Sequence, residues 1–149
     1  MKRLVVEYWT PLILWLFTMF FFSTDQFSTG QTSKVIVPIL MFFFPSASSH
    51  QLHIWHEFIR KFSHISEYFI LAFLTYRIVQ QEQQDLIKPK VVTILVVLLA
   101  AMFDELHQRF TASRNSSLID VGYDCLGAVW ALCFIASYEI RRLRTHSIL

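Results

Sequence analysis

The chain has 149 residues, 54% of them hydrophobic and only 16% charged, with a formal net charge of +2. A soluble domain averages about 25% charged residues, and a disordered chain would be poor in aromatics, whereas this one carries 15 Phe and 4 Trp. So small a net charge also excludes a nucleic-acid footprint, which leaves an integral membrane protein built as one compact unit.

Residues 8–25 form the first expected span, charge-free over 8–24, rich in Leu, Ile, Phe and Trp, and ending at Ser23-Thr24-Asp25-Gln26. No small-x-small cleavage pattern follows it, so it reads as an uncleaved span and not as a secretory signal. Residues 34–59 do not make another span. The apolar stretch 35–44 is short, is interrupted by Pro38 and closes at Pro45, which suits a re-entrant or interfacial piece. After Ser46-Ala47-Ser48-Ser49, the residues Leu52, Trp55, Phe58, Ile59 and Phe62 recur at helical spacing. They predict an amphipathic helix lying in the interface. His50, His53 and His56 share its exposed polar face.

Three further spans are expected at about 60–79, 90–109 and 120–141. They are charge-free only over 68–76, 91–103 and 125–138. Each reaches the roughly 20 residues needed to cross a bilayer only by taking polar residues inside. Those polar residues lie at the start of the second span, the end of the third and the start of the fourth. Because successive spans alternate direction, all of them fall on one side of the membrane, together with the Ser23–Gln26 end of the first. Lys2, Arg3, Arg77, Lys88, Lys90, Arg141, Arg142 and Arg144 occupy the other side. The excess of cations there predicts cytoplasmic termini and an outward polar cluster. Cys125 and Cys133 are separated by about 12 Å of helix rise, too far to bridge.

Within the cluster, Lys61, His64 and Glu67 stand at i, i+3 and i+6. Asp104 with Gln108, Glu105 with Arg109, and Asp120 with Asp124 stand at i and i+4, the spacing that puts side chains on one helix face. Ionisable groups at membrane depth cost at least a few kcal/mol each unless paired or wetted, so they are read as a functional site. Interhelical bonds worth about 0.6 kcal/mol are a weak reason to bury so many charges as mere glue. His64, Glu67, Asp104 and Glu105 are acceptable ligands for a divalent ion, but Lys61, Arg109 and Arg114 supply counter-charge without one. No metal or cofactor is expected. No Ser lies in a nucleophile-elbow pattern. If the protein is an enzyme, the candidate acid–base residues are His64, Glu67, Asp104 and Glu105.

Taken in order, the polar stretches resemble the VanZ-like family of bacterial membrane proteins. They are Phe22-Ser23-Thr24-Asp25-Gln26, then Lys61-Phe62-Ser63-His64-Ile65-Ser66-Glu67-Tyr68, then Asp104-Glu105-Leu106-His107-Gln108-Arg109-Phe110, Arg114, and Asp120-Val121-Gly122-Tyr123-Asp124-Cys125-Leu126-Gly127. The resemblance runs from about residue 10 to residue 135. It puts Lys61, His64, Glu67, Asp104, Glu105, Gln108, Phe110, Arg114, Asp120 and Gly127 at the family's motif positions. Where this chain has Asp124 the family usually has Asn, and its late glycine is replaced near Trp130.

The resulting expectation is an all-α protein of the bacterial plasma membrane, a bundle of four transmembrane helices with a re-entrant or interfacial helical segment between the first two. The ligand-binding set is Lys61, His64, Glu67, Asp104, Glu105, Gln108, Arg114, Asp120 and Asp124. Its partners would be membrane lipids, with an anionic amphiphile, a lipid-linked cell-wall precursor or a lipoglycopeptide as ligand. The resemblance adds a link to teicoplanin-type resistance. A membrane enzyme acting on a lipid-linked substrate is the alternative.

Overall fold

A computed structural model describes residues 5–81, 87–109 and 118–146. Arg114 and Phe110 therefore lie outside the described residues. Within them every regular element is helical. A π-helical turn, Val5–Trp9, leads into α1 (Thr10–Phe22), whose first turn accepts Pro11 because the missing N–H there has no helical partner anyway. A 3₁₀ turn, Asp25–Phe27, connects it to α2 (Thr29–Phe43), and then follow α3 (Ser49–Gln81), α4 (Lys88–Arg109) and α5 (Leu118–His146).

The start of α3 is a reciprocal cap. The Ser48 N–H donates to Gln51 Oε1 at 2.9 Å, and the Gln51 N–H donates to Ser48 Oγ at 3.3 Å, so two otherwise orphaned donors are satisfied. From there the helix continues for 33 residues, roughly 50 Å. The amphipathic stretch expected to lie apart in the interface is thus the first third of α3, with no break at Arg60. Pro38 likewise sits inside a continuous α2.

By length and hydropathy, one helix among the described residues qualifies as a membrane span by itself, Ile119–Arg141 within α5. Val6–Phe22 and Asp25–Phe43 qualify only as a pair bent by 69°. The first expected span ends at Ser23, where α1 gives way to the Asp25–Phe27 turn and the chain bends by 69°. In α3 and α4 the ionisable residues dilute the apolar character that such a test measures. Four separate spans are therefore not evident from hydropathy.

The core is a packing of α3, α4 and α5. Tyr68, Leu71 and Ala72 of α3 meet Val97 and Ala101 of α4 and Ala128 and Ala131 of α5. Small residues at these positions let the helices approach closely. The approach is tightest at Gly127, where an added Cβ would lie 2.3 Å from the Ile65 carbonyl oxygen and 3.0 Å from the Phe69 amide nitrogen. α1 rests on this core through Leu12, Trp15 and Met19, and the Trp15 indole donates to the Glu67 carbonyl at 3.0 Å. At the far end, Glu139 of α5 accepts from Tyr76 and from Gln80 (3.3 Å), both on α3, and pairs with Lys90 of α4 at 3.0 Å.

Gly127→Ala should destabilise the protein by about 1–3 kcal/mol, since the atoms that would have to move are backbone. Gly122, with nothing within 4 Å of its would-be Cβ, should accept Ala with no loss. Thermal unfolding of both variants in detergent checks this pair of outcomes; equal behaviour would contradict the close crossing.

Candidate functional site

The polar ends of the helices converge on a cavity of about 230 Å³. The polar lining comes from Arg60, Ser63, His64 and Glu67 of α3 and Asp104 of α4. Ser23 from the end of α1 adds a further hydroxyl. The apolar lining comes from Met19, Phe22, Phe27, Ile36 and Ile59, and Thr32 of α2 adds another hydroxyl. Such a lining, mostly apolar with a few convergent polar groups, is the ordinary build of a small-molecule site.

His64 in this lining has a partner behind it. Its Nδ1 is 3.3 Å from Asp124 Oδ1, and Asp124 is fully buried. The pair is within ion-pair distance but not aligned as a hydrogen bond, and both carboxylate oxygens of Asp124 lack a hydrogen-bond donor among the described residues. With Nδ1 turned toward Asp124, Nε2 is the ring nitrogen left to a ligand. On α4, Gln108 donates through Nε2 to Asp104 Oδ2 at 2.8 Å, which fixes the carboxylate that lines the cavity.

Not every expected residue joins them. Lys61 lies over the Tyr123 ring, its Nζ 5.1 Å from the centroid, and so turns to α5, away from the cavity. Helix geometry accounts for this. At 3.6 residues per turn, Lys61 and Glu67 are about 120° apart around the axis, whereas Arg60 and Glu67 are only about 20° apart. The stripe that faces the cavity is Arg60, His64 and Glu67 at i, i+4 and i+7. Arg60, which is not in the expected ligand-binding set, is the cation of the cavity; it also pairs with Glu57 at 3.6 Å. Glu105 is buried on a neighbouring face of α4, and Asp120 is half-buried one turn before Asp124. Neither lines the cavity. Among the described residues, no three His, Cys, Asp or Glu side chains group as metal ligands.

His56 corrects an expectation. His50 and His53 are exposed, but His56 is 1% exposed and packs against α2. Its Nε2 is 3.0 Å from Thr32 Oγ1, and Thr32 itself donates to the Ser28 carbonyl at 3.0 Å. The Thr32 hydroxyl hydrogen is thereby used, so His56 Nε2–H is the donor. The reason is the uninterrupted α3, which packs this turn against α2. His56 precedes the 60–79 stretch, and burial pushes its pKa below 6.5; Glu57 opposes the shift, while Arg60 and His53 reinforce it.

A family model described as VanZ/LLP1 matches residues 8–139. Comparison with curated proteins and with solved structures returns no match.

An unfolded chain with an ordinary His56 binds a proton that the folded chain resists. Stability should therefore fall as pH drops through 6.5 and level off below the lowered native value. His56→Gln keeps an amide donor for Thr32 and should remove that part of the slope. Unfolding followed by Trp fluorescence between about pH 5 and 8 reads it directly; an unchanged slope would show that His56 is not held neutral.

Proposed function

Because the chain belongs to the VanZ/LLP1 family, a family of membrane proteins, we propose that it is a multi-pass membrane protein whose cavity binds the anionic head group of an envelope amphiphile. The observation that carries this reading is the mixed lining of the cavity, where Arg60, Ser63, His64, Glu67 and Asp104 meet Phe22, Phe27, Ile36 and Ile59. Arg60 would supply charge-assisted hydrogen bonds to a phosphate or carboxylate. Glu67 and Asp104 would accept from hydroxyls or amines of the same head group, and Ser63 and His64 would orient it. The ligand class is a lipid, a lipid-linked cell-wall precursor or a lipoglycopeptide. Occupying or shielding such a ligand is how the protein would contribute to resistance against teicoplanin-type compounds.

The proposed topology has four crossings, 8–25, 60–79, 90–109 and 120–141. The 33 residues of α3 and 22 of α4 give roughly 50 and 33 Å of helix, enough for a hydrocarbon core of about 30 Å. The bent pair of α1 and α2 supports a broken or re-entrant passage beside them. The distribution of Lys and Arg favours cytoplasmic termini and a cavity open to the outside.

The His64–Asp124 pair supports a second reading, acid–base chemistry on a lipid-linked substrate. Asp124 would hold the ring through Nδ1, and Nε2 would take a proton from water or a substrate hydroxyl. Because the family usually has Asn at this position, the chemistry would be particular to this chain.

Arg60→Ala should weaken binding of phosphatidylglycerol to the purified protein by about ten-fold or more, the worth of a hydrogen bond to a charged group, while Lys61→Ala changes it little. Unchanged affinity for phosphatidylglycerol, a cell-wall lipid precursor and teicoplanin in Arg60→Ala would remove the head-group reading. For the enzymatic reading, reconstituted protein should turn over labelled envelope lipids, and Asp124→Asn should slow turnover by about a hundred-fold. Absence of any product would decide against it.

A further inference from the structure

A second cavity, of about 200 Å³, adjoins the first. It is a cleft between α1 and α4, walled by Leu16 and Phe20 on one side and Ala100 and Phe103 on the other, with Tyr68 of α3 behind them. Met19 and Asp104 line both cavities, so the two share a wall. Leu16 and Ala100 stand about one helical turn further into the apolar runs than Met19 and Asp104. The cleft is therefore the apolar continuation of the polar cavity. Its flanks, Leu16, Phe20 and Phe103, are exposed. At its polar end it is bridged by His107, whose Nδ1 is 3.4 Å from Ser23 Oγ and whose ring centroid is 4.9 Å from that of Phe20. A chain in the cleft would leave sideways, between α1 and α4.

Tyr68 gives the cleft its chemistry. The residue is 1% exposed, and its hydroxyl has no hydrogen-bond partner among the described residues. A buried, unmade donor is expensive to retain unless something pairs with it, and the other polar side chains of the cleft, Asp104 and His107, do not. Tyr68 lines the cleft and not the polar cavity. An oxygen on the chain side of an amphiphile, drawn into the cleft, would satisfy it. An acyl ester carries a carbonyl oxygen there, whereas a prenyl chain carries none beyond its phosphate.

We propose that the ligand is an ester-linked glycerophospholipid. One acyl chain lies in the α1–α4 cleft, its ester carbonyl accepts from the Tyr68 hydroxyl, and its head group lies in the polar cavity. This rests on the head-group reading for the position of the phosphate but uses different residues.

The test is binding of four probes to the full-length purified protein: dioleoyl phosphatidylglycerol, its ether-linked analogue, glycerol phosphate and farnesyl phosphate. The ester lipid should bind about five-fold tighter than the ether lipid, the worth of one net hydrogen bond. Tyr68→Phe, which keeps the ring, should abolish that preference and leave the ether lipid unchanged. Leu16→Trp, which fills the cleft from its exposed side, should weaken both lipids about ten-fold and leave glycerol phosphate unaffected. Equal binding of ester and ether lipids by the wild-type chain, or preference for farnesyl phosphate, overturns the proposal. The two readings separate cleanly. If Arg60→Ala weakens binding while Tyr68→Phe and Leu16→Trp do nothing, the head-group reading stands and this one falls. If Arg60→Ala changes nothing and the ester preference still depends on Tyr68, the reverse holds.

Discussion

The contact between α3 and α5 at Gly127 sets the rest of the molecule. A residue with no side chain lets the two backbones meet at Ile65 and Phe69, closer than any other residue type would permit. His64 immediately precedes Ile65, and Asp124 lies one helical turn before Gly127, so the same crossing brings His64 and Asp124 to 3.3 Å. Separating the helices by a methyl group would draw His64 and Asp124 apart. Packing at an apolar position thus determines electrostatics at a polar one.

The cavity follows from this framework by alternation of direction. Helices of alternating direction that are polar at alternating ends stack all their polar residues at one end of the bundle. Ser23, His64, Glu67 and Asp104 arrive from three different helical segments and share one cavity. The cavity itself has mixed charge, one guanidinium facing two carboxylates. That composition favours a head group with both an anionic centre and hydrogen-bond donors over a simple anion.

The convergence of polar ends was legible in the sequence because it depends only on which end of each apolar run carries the charges. Which side chain on a helix faces inward was not, because that is an angular question. Lys61 and Arg60 are adjacent in sequence, but about 100° of rotation separates them, and the packing against Tyr123 decides the matter. His56 was misplaced for a different reason. Its surroundings depend on α3 continuing unbroken from Ser49 and on α2 folding back across it, and no local pattern in 49–59 reports either. Tyr68 closes the Lys61–Tyr68 stretch in the sequence, but its role was not legible there; burial and the lack of a partner distinguish it. The number of spans was obscured by the same polar residues that reveal the cavity, since each of them lowers hydropathy where it adds chemistry.

The Glu139 cluster makes the bundle mechanically unequal along its length. At that end one carboxylate gathers Tyr76, Gln80 and Lys90 from two neighbouring helices, a rivet through α3, α4 and α5. At the cavity end, the corresponding link between α3 and α5 is an ion pair without hydrogen-bond alignment, and α1 is tethered to α4 by the long Ser23–His107 contact and ring packing. The molecule is built like a clothes-peg, with its spring at the Glu139 end and its jaws around the cavity. With α3 and α5 held together at Gly127, the side of the cavity that can widen is the one between α1 and α4.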